Sequence, residues 1–346
     1  MTYHIEREIA EQPEALRRLV HEGMPKAEQI AAAIRAFDPA FVLIAARGTS
    51  DNAGRYAQYL WGVHIRLSVG LATPSVHTLY EAAPNLSRAL VIGISQSGKA
   101  EDVRRVLDDA RKQGALTVSI TNDPDSPLAT GAHHHLPLMV GPEVSVAATK
   151  TYTGQLAAMA LIAAALEQTG ELRQGLLKLP EYVAETLRLS EDIPHWCERY
   201  RYMERFVTTG RGYNYATAFE ISLKIKELCY LAGAEYSEAD FRHGPIAMVA
   251  KGFPVITIAP EGKTLPNMVS LLEKLKERGA ENIVISNNAE AAALGEKVMR
   301  LPAGIPEWLS PLVAVIPGQI FAYRLALAKG HSVDQPEGLR KVTITQ

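Results

Sequence analysis

Two cysteines in 346 residues, Cys197 and Cys229, are too few for a disulfide framework. Nor do they have the Cys-x-x-Cys spacing of a redox or metal motif. A formal charge of −2 gives no electrostatic case for nucleic acid or an anionic membrane as partner. The N-terminal residues MTYHIEREIAEQPEALRRL are charged and helical in pattern, without the apolar centre of a signal peptide. The longest apolar stretch, around Leu156 to Leu166, is alanine-rich and too short for a bilayer, so a buried helix is expected there. No segment is of low complexity. Hydrophobic content of 47% and charged content of 21% are ordinary for a globular chain. The expectation is a soluble, cytoplasmic protein.

What the chain does contain is a repeat. Val42–Gly48 runs from apolar residues into a glycine turn, and so does Phe206–Gly212, 164 positions later. LVIGISQSG ends at Gly98 and PVITIAPEG at Gly262, again 164 apart, and QGALTVSITN is echoed by RGAENIVISN at an offset of 165. Short β-branched runs alternate with helical patterns in both copies, which predicts an α/β fold with parallel sheets covered by helices. The expected strands are Phe41–Ala45, Leu90–Ile94, Thr117–Ile120 and His135–Met139 in the first copy. In the second they are Phe206–Thr209, Val255–Ile258, Asn282–Ile285 and Val298–Leu301. Val103, Val106, Leu107 and Ala110 recur at helical spacing before Gly114. The charged helical stretch from Gly170 to His195 is the expected bridge.

Only the first copy carries the hydroxyl-rich turn Ser95-Gln96-Ser97-Gly98. A strand ending in such a turn and entering a helix suits a phosphate, because free backbone N–H groups and the positive end of the helix dipole point at it. Gly48-Thr49-Ser50-Asp51-Asn52 ends the preceding strand in the same way, and both turns would lie on the carboxyl edge of the sheet. Helix capping alone would also place serines in these turns. A nucleotide-binding P-loop is nearly matched by Gly93–Ala100, but Ala100 lacks the hydroxyl that would hold magnesium.

In FEISLKIKELCYLAGAEYSEADFRHGP, Glu220, Lys224 and Glu227 stand at i, i+4 and i+7, on one helix face. Such a stripe is either a solvated ladder or, with His243 following, the equipment for moving protons beside a carbonyl. His133-His134-His135 is not read as a metal site, since neighbours in a strand alternate faces.

These motifs together resemble proteins of two sugar isomerase (SIS) domains. The anchors are RGTSDNAG (Arg47–Gly54), ISQSG (Ile94–Gly98), VAATK (Val146–Lys150), EISLKIKEL (Glu220–Leu228), HGP (His243–Pro245) and DQPEGLRKV (Asp334–Val342). The chain is similar to the isomerase half of glucosamine-6-phosphate synthase and resembles stand-alone SIS-type glucosamine-6-phosphate deaminases. The resemblance implies two tandem three-layer α/β/α domains: an N-terminal helical segment (1–30), a phosphosugar-gripping domain (31–175), a catalytic domain (195–330) and a tail over the active site (331–346).

The resemblance further implies a phosphosugar held by Gly48, Thr49, Ser50, Ser95, Gln96 and Ser97, with Val146 and Ala148 nearby. Glu227 would shuttle a proton between carbons 1 and 2, and Glu220 and Lys224 would order its surroundings. His243 would open the sugar ring from the neighbouring subunit of a homodimer. Lys341 would be the tail lysine able to form an imine with a ketose. No metal or organic cofactor is implied.

The chain departs from the synthase pattern at Lys99 and Ala100, where a glutamate and a threonine are usual, and at Ala148, usually serine. The synthase's glutaminase domain is not recognisable ahead of the SIS-type sequence, so deamination of glucosamine 6-phosphate to fructose 6-phosphate is the expected direction. A fructosamine-6-phosphate deglycase, an aldose–ketose phosphosugar isomerase and a non-catalytic phosphosugar sensor are the alternatives.

Overall fold

Runs such as Leu90-Val91-Ile92 and Val255-Ile256-Thr257 are apolar on both faces, and in the computed structural model, which describes residues 3–341, they are strands buried on both sides. That is the pattern a parallel sheet covered by helices demands. The described residues divide into two units. The first comprises Glu14–Glu143, Lys150–Pro180 and the tail from Arg340; the second comprises the residues up to Pro13, Val144–Thr149 and Glu181–Leu339.

In the first unit, β1 (Phe41–Ala45), β2 (Val69–Leu71), β3 (Ala89–Ile94), β4 (Leu116–Thr121) and β5 (His134–Pro137) form a sheet in the order β2-β1-β3-β4-β5. Every pairing is parallel, with Phe41 opposite Ala89 and Leu90 opposite Leu116. In the second unit, β6 (Arg205–Gly210), β7 (Ala232–Ser237), β8 (Pro254–Ile258), β9 (Glu281–Ser286) and β10 (Lys297–Arg300) pair in parallel in the order β10-β9-β8-β6-β7. Counted from its own first strand, each sheet has the order 2-1-3-4-5. The repeat in the sequence is therefore a repeat of topology, and the expected α/β architecture is the one present.

The eight expected strands all occur, with ends shifted by a residue or so. The two that sequence reasoning missed, β2 and β7, are edge strands. Val69-Gly70-Leu71 is three residues long, and Ala232–Ser237 has no β-branched residue, so neither carries the usual signal. The bridging stretch is largely the helix Glu171–Leu189.

Helices cover the sheets with apolar faces. Val103, Val106 and Leu107 meet Val91 in the first unit, and Leu271, Leu272 and Leu275 join Val207 and Val255 in the second. Lys150–Leu166 is buried along almost its whole length, as its alanine-rich composition predicts. A longer apolar helix escaped notice because Pro317, Gln319 and Arg324 interrupt its sequence: Ser310–Ala328. Among the described residues, the helical span Glu307–Ala328 is long and apolar enough to cross a membrane, yet 83% of its apolar stretch is buried inside the protein. It is a core helix, and it lies against Tyr215–Cys229. Gly318 permits the approach, since a Cβ there would stand 2.5 Å from the Ile221 side chain.

Candidate active site

In the first unit the strand order reverses between β1 and β3, and the turns following these two strands flank the reversal. That is where open α/β sheets bind ligands. The helix Thr49–His64 begins directly after Gly48, and Ser50 is buried in its first turn. Gln155 Nε2 donates to Ser50 Oγ at 2.9 Å, and the Gly98 N–H donates to Ser95 Oγ at 3.1 Å. Both hydroxyls thus accept from the protein and keep their own protons to offer an anion. The Lys99 N–H donates to Ser97 Oγ at 3.3 Å. Gly98 has φ +64°, and a Cβ there would lie 2.0 Å from Ser126 Oγ, so only glycine fits this turn.

Charge is arranged around the same turns. Arg47 Nε donates to Asp102 Oδ2 at 2.6 Å, and the Asp102 side chain is fully buried at the start of Glu101–Lys112. Burial raises the Asp51 carboxyl above its ordinary range, with Arg55 and Arg47 pulling the other way. Ala100 is the residue before that helix, and Lys99 ahead of it is exposed.

In the second unit, Tyr215–Cys229 carries the carboxylate–amine–carboxylate stripe. It is not a solvated ladder. The side chains of Glu220 and Lys224 are 0% and 1% exposed, and Glu227 is 24% exposed. Lys224 Nζ lies 2.5 Å from Glu227 Oε2 and 3.5 Å from Glu220 Oε1. A buried ammonium therefore joins a deep carboxylate to one that reaches the surface. His243 is exposed at the end of the helix Glu238–Arg242. Beside it, Glu238 is buried between Arg211 and Arg242, which fixes the turn after β6 to that helix.

Val146 and Ala148 belong to the second unit. The Val146 N–H is taken by the Asp334 carbonyl at 3.3 Å. The buried Glu8 carboxylate accepts from the N–H groups of Val144 and Ser145. Asp334 in turn accepts from the N–H groups of His4 and Ile5 at 3.0 Å, which ties the start of the tail to the first helix. In the first unit, Lys341 Nζ is 3.1 Å from Glu143 Oε2, a buried carboxylate that also accepts from Thr151 Oγ1 at 2.6 Å. The tail residues from Val342 onward lie outside the described residues.

Sequence reasoning missed Asp102, Gln155, Glu143 and Glu8. Gln155 and Glu8 had a usable signal, a polar residue at a position that the helical apolar pattern assigns to the core. Asp102 had none, because an acidic residue in a first helical turn is ordinary.

Both cysteines are buried, and burial raises both thiols, Cys229 to about 12. Of the three consecutive histidines, His133 Nδ1 accepts from the Thr117 N–H at 3.2 Å, and His135 Nε2 lies 3.0 Å from Thr121 Oγ1. Burial lowers all three below the ordinary histidine value, helped by Arg111 and His134 at His133 and by Lys26 at the other two; the Thr121 bond opposes this at His135. Groups depressed in the folded state contribute stability that is complete above the unfolded value of about 6.5 and is lost as pH falls through the folded values. The urea midpoint is therefore expected to drop when pH is lowered from about 7.5 to about 5.5, and the drop should shrink in a variant with all three changed to glutamine. An unchanged slope in that variant would rule the histidines out as its source.

The family model described as the SIS domain matches this chain twice, over residues 38–165 and 201–329. The chain belongs to the SIS-domain family. Glutamine–fructose-6-phosphate aminotransferase (isomerizing) of Pyrococcus horikoshii is 33% identical over 341 residues. That match covers 97% of this chain and 56% of the relative, so this double-SIS chain spans a little over half the length of the curated relatives. The C-terminal domain of glucosamine-fructose-6-phosphate aminotransferase from Francisella tularensis superposes with a TM-score of 0.89 at 29% identity, covering 97% and 99% of the two chains. A candidate phosphosugar isomerase from Silicibacter pomeroyi DSS-3 gives 0.84 at 32%, covering 96% and 99%.

Proposed function

We propose that this SIS protein is a sugar-phosphate isomerase that acts on an amino sugar in the deaminating direction: glucosamine 6-phosphate and water give fructose 6-phosphate and ammonia. The observation that carries the reading is the stripe on Tyr215–Cys229. Its one solvent-reaching carboxylate, Glu227, is held by an ammonium with a second carboxylate buried behind it. A base fixed in this way suits transfer of one proton between adjacent carbons, the chemistry of aldose–ketose interconversion.

The phosphate would rest on the turns Gly48–Ser50 and Ser95–Ser97, which offer hydroxyl protons and helix N-termini. His243, supplied by the partner subunit of a homodimer, would open the ring. Glu227 would take the carbon-2 proton and return it at carbon 1, leaving a carbon-2 imine. Water would then hydrolyse this imine to release ammonia, or Lys341 would displace the ammonia by transimination and water would free the ketose from the lysine. Neither metal nor organic cofactor enters this route.

The deaminating direction needs only water as its co-substrate, which is always present. Ammonia release from glucosamine 6-phosphate, galactosamine 6-phosphate and fructoselysine 6-phosphate, with glucose 6-phosphate isomerisation alongside, tests the reading. Release from glucosamine 6-phosphate with the highest kcat/KM is expected. Preference for fructoselysine 6-phosphate would make the enzyme a deglycase, and isomerisation without ammonia would make it a plain isomerase. No turnover of any of them would overturn the proposal.

A further inference from the structure

The turn after β8 is the second copy's counterpart of the Ser95–Gly98 turn, and it is already occupied by an anion. Gly262 stands 164 positions after Gly98, each follows the third strand of its sheet, and each leads into a helix; here it is Leu265–Glu277. Glu307 comes from a turn beyond β10. Its Oε2 accepts from the Lys263 N–H at 2.9 Å, and its Oε1 accepts from the Thr264 N–H at 3.1 Å and from Thr264 Oγ1 at 2.9 Å. Two successive backbone amides at a helix start and a hydroxyl thus converge on one carboxylate, the arrangement by which such turns grip phosphate. Gly262 is what admits it, since a Cβ there would lie 2.3 Å from Glu307 Cδ.

We infer that this turn is a second anion-binding cradle, filled by the chain's own Glu307 carboxylate, which opens to inorganic phosphate or a phosphate monoester when that carboxylate is removed. The occupant explains the asymmetry between the copies. Both inherit an anion-gripping topology, one presents serines to an outside ligand, and the other is closed from within. The inference stands apart from the proposed reaction, and the two can fail separately.

Calorimetric titration of the phosphate-free protein with inorganic phosphate tests it. Wild type should bind one equivalent, at the serine turns, and Glu307→Ala should bind two. With Ser95→Ala and Ser97→Ala added, the counts should fall to none and one. Sulfate should compete and chloride should not. If wild type binds none while Glu307→Ala binds one, the inference stands and the phosphate role of the serine turns falls. If Glu307→Ala binds no more than wild type in either background, the inference is wrong. Glu307→Gln guards against a variant that does not fold, because it keeps the volume but turns one acceptor into a donor facing an N–H. Phosphate should raise its Tm more than it raises that of wild type, and an equal rise in the two would also overturn the inference.

Discussion

Glu227→Gln is expected to lower turnover of glucosamine 6-phosphate by about 10²–10⁴-fold, the usual range for losing a positioned proton-transfer group. Glutamine keeps the size of the side chain and an oxygen that can still accept from Lys224 Nζ, now 2.5 Å from Glu227 Oε2. It loses the basicity that, in the proposed reaction, takes the carbon-2 proton. Phosphate affinity should stay close to wild type, because the serine turns are untouched. Initial rates together with a binding titration separate the two effects, and a variant that turns over like wild type would mean the base lies elsewhere. The same variant tests the subunit arrangement. Mixed with His243→Ala and allowed to exchange subunits, it should recover about a quarter of wild-type activity, since in the proposed homodimer half the molecules would be heterodimers with one of two sites intact. Recovery absent after verified exchange would place His243 and Glu227 of one chain in the same site.

How much of this could be read from the residues alone depends on how local each signal is. The central strands were legible because a strand buried on both faces must be apolar throughout, as in Ala89–Ile94. Edge strands lack that constraint, and Ala232–Ser237 has no β-branched residue to mark it as a strand. The stripe Glu220, Lys224, Glu227 was visible as helical spacing, but spacing does not report depth. The same three residues on an outward face would be a solvated ladder, and the packing of their helix against Ser310–Ala328, β6 and β7 decides otherwise. Contacts between residues far apart in the chain were not legible at all. Glu8 with Ser145, Lys341 with Glu143 and Glu307 with Lys263 each join positions whose nearness the topology sets, and local pattern carries no trace of it. The repeat was the exception, because it made a long-range fact local: two similar segments imply two similar sheets. Even so, it showed which copy had lost its serines and not what had taken their place.

Lys224→Met should be strongly destabilising. Lys224 and Glu220 are 1% and 0% exposed, so the substitution leaves the Glu220 carboxylate buried without the ammonium that stands 3.5 Å away. Breaking a buried pair from one side typically costs about 3–5 kcal/mol, far more than the pair contributes as a whole. The urea midpoint should fall accordingly. Adding Glu220→Gln removes the stranded charge, so the double variant should regain much of that loss. Turnover should behave differently. In either variant Glu227 lacks the cation that holds it, so kcat should remain low in the double variant at temperatures where it is fully folded. Stability that returns without activity would separate the two tasks of Lys224, one toward the carboxylate beneath it and one toward the carboxylate that faces solvent. Activity that returned along with stability would reduce Lys224 to a packing residue. A urea midpoint in Lys224→Met equal to that of wild type would show that the buried pair is not coupled as its geometry requires.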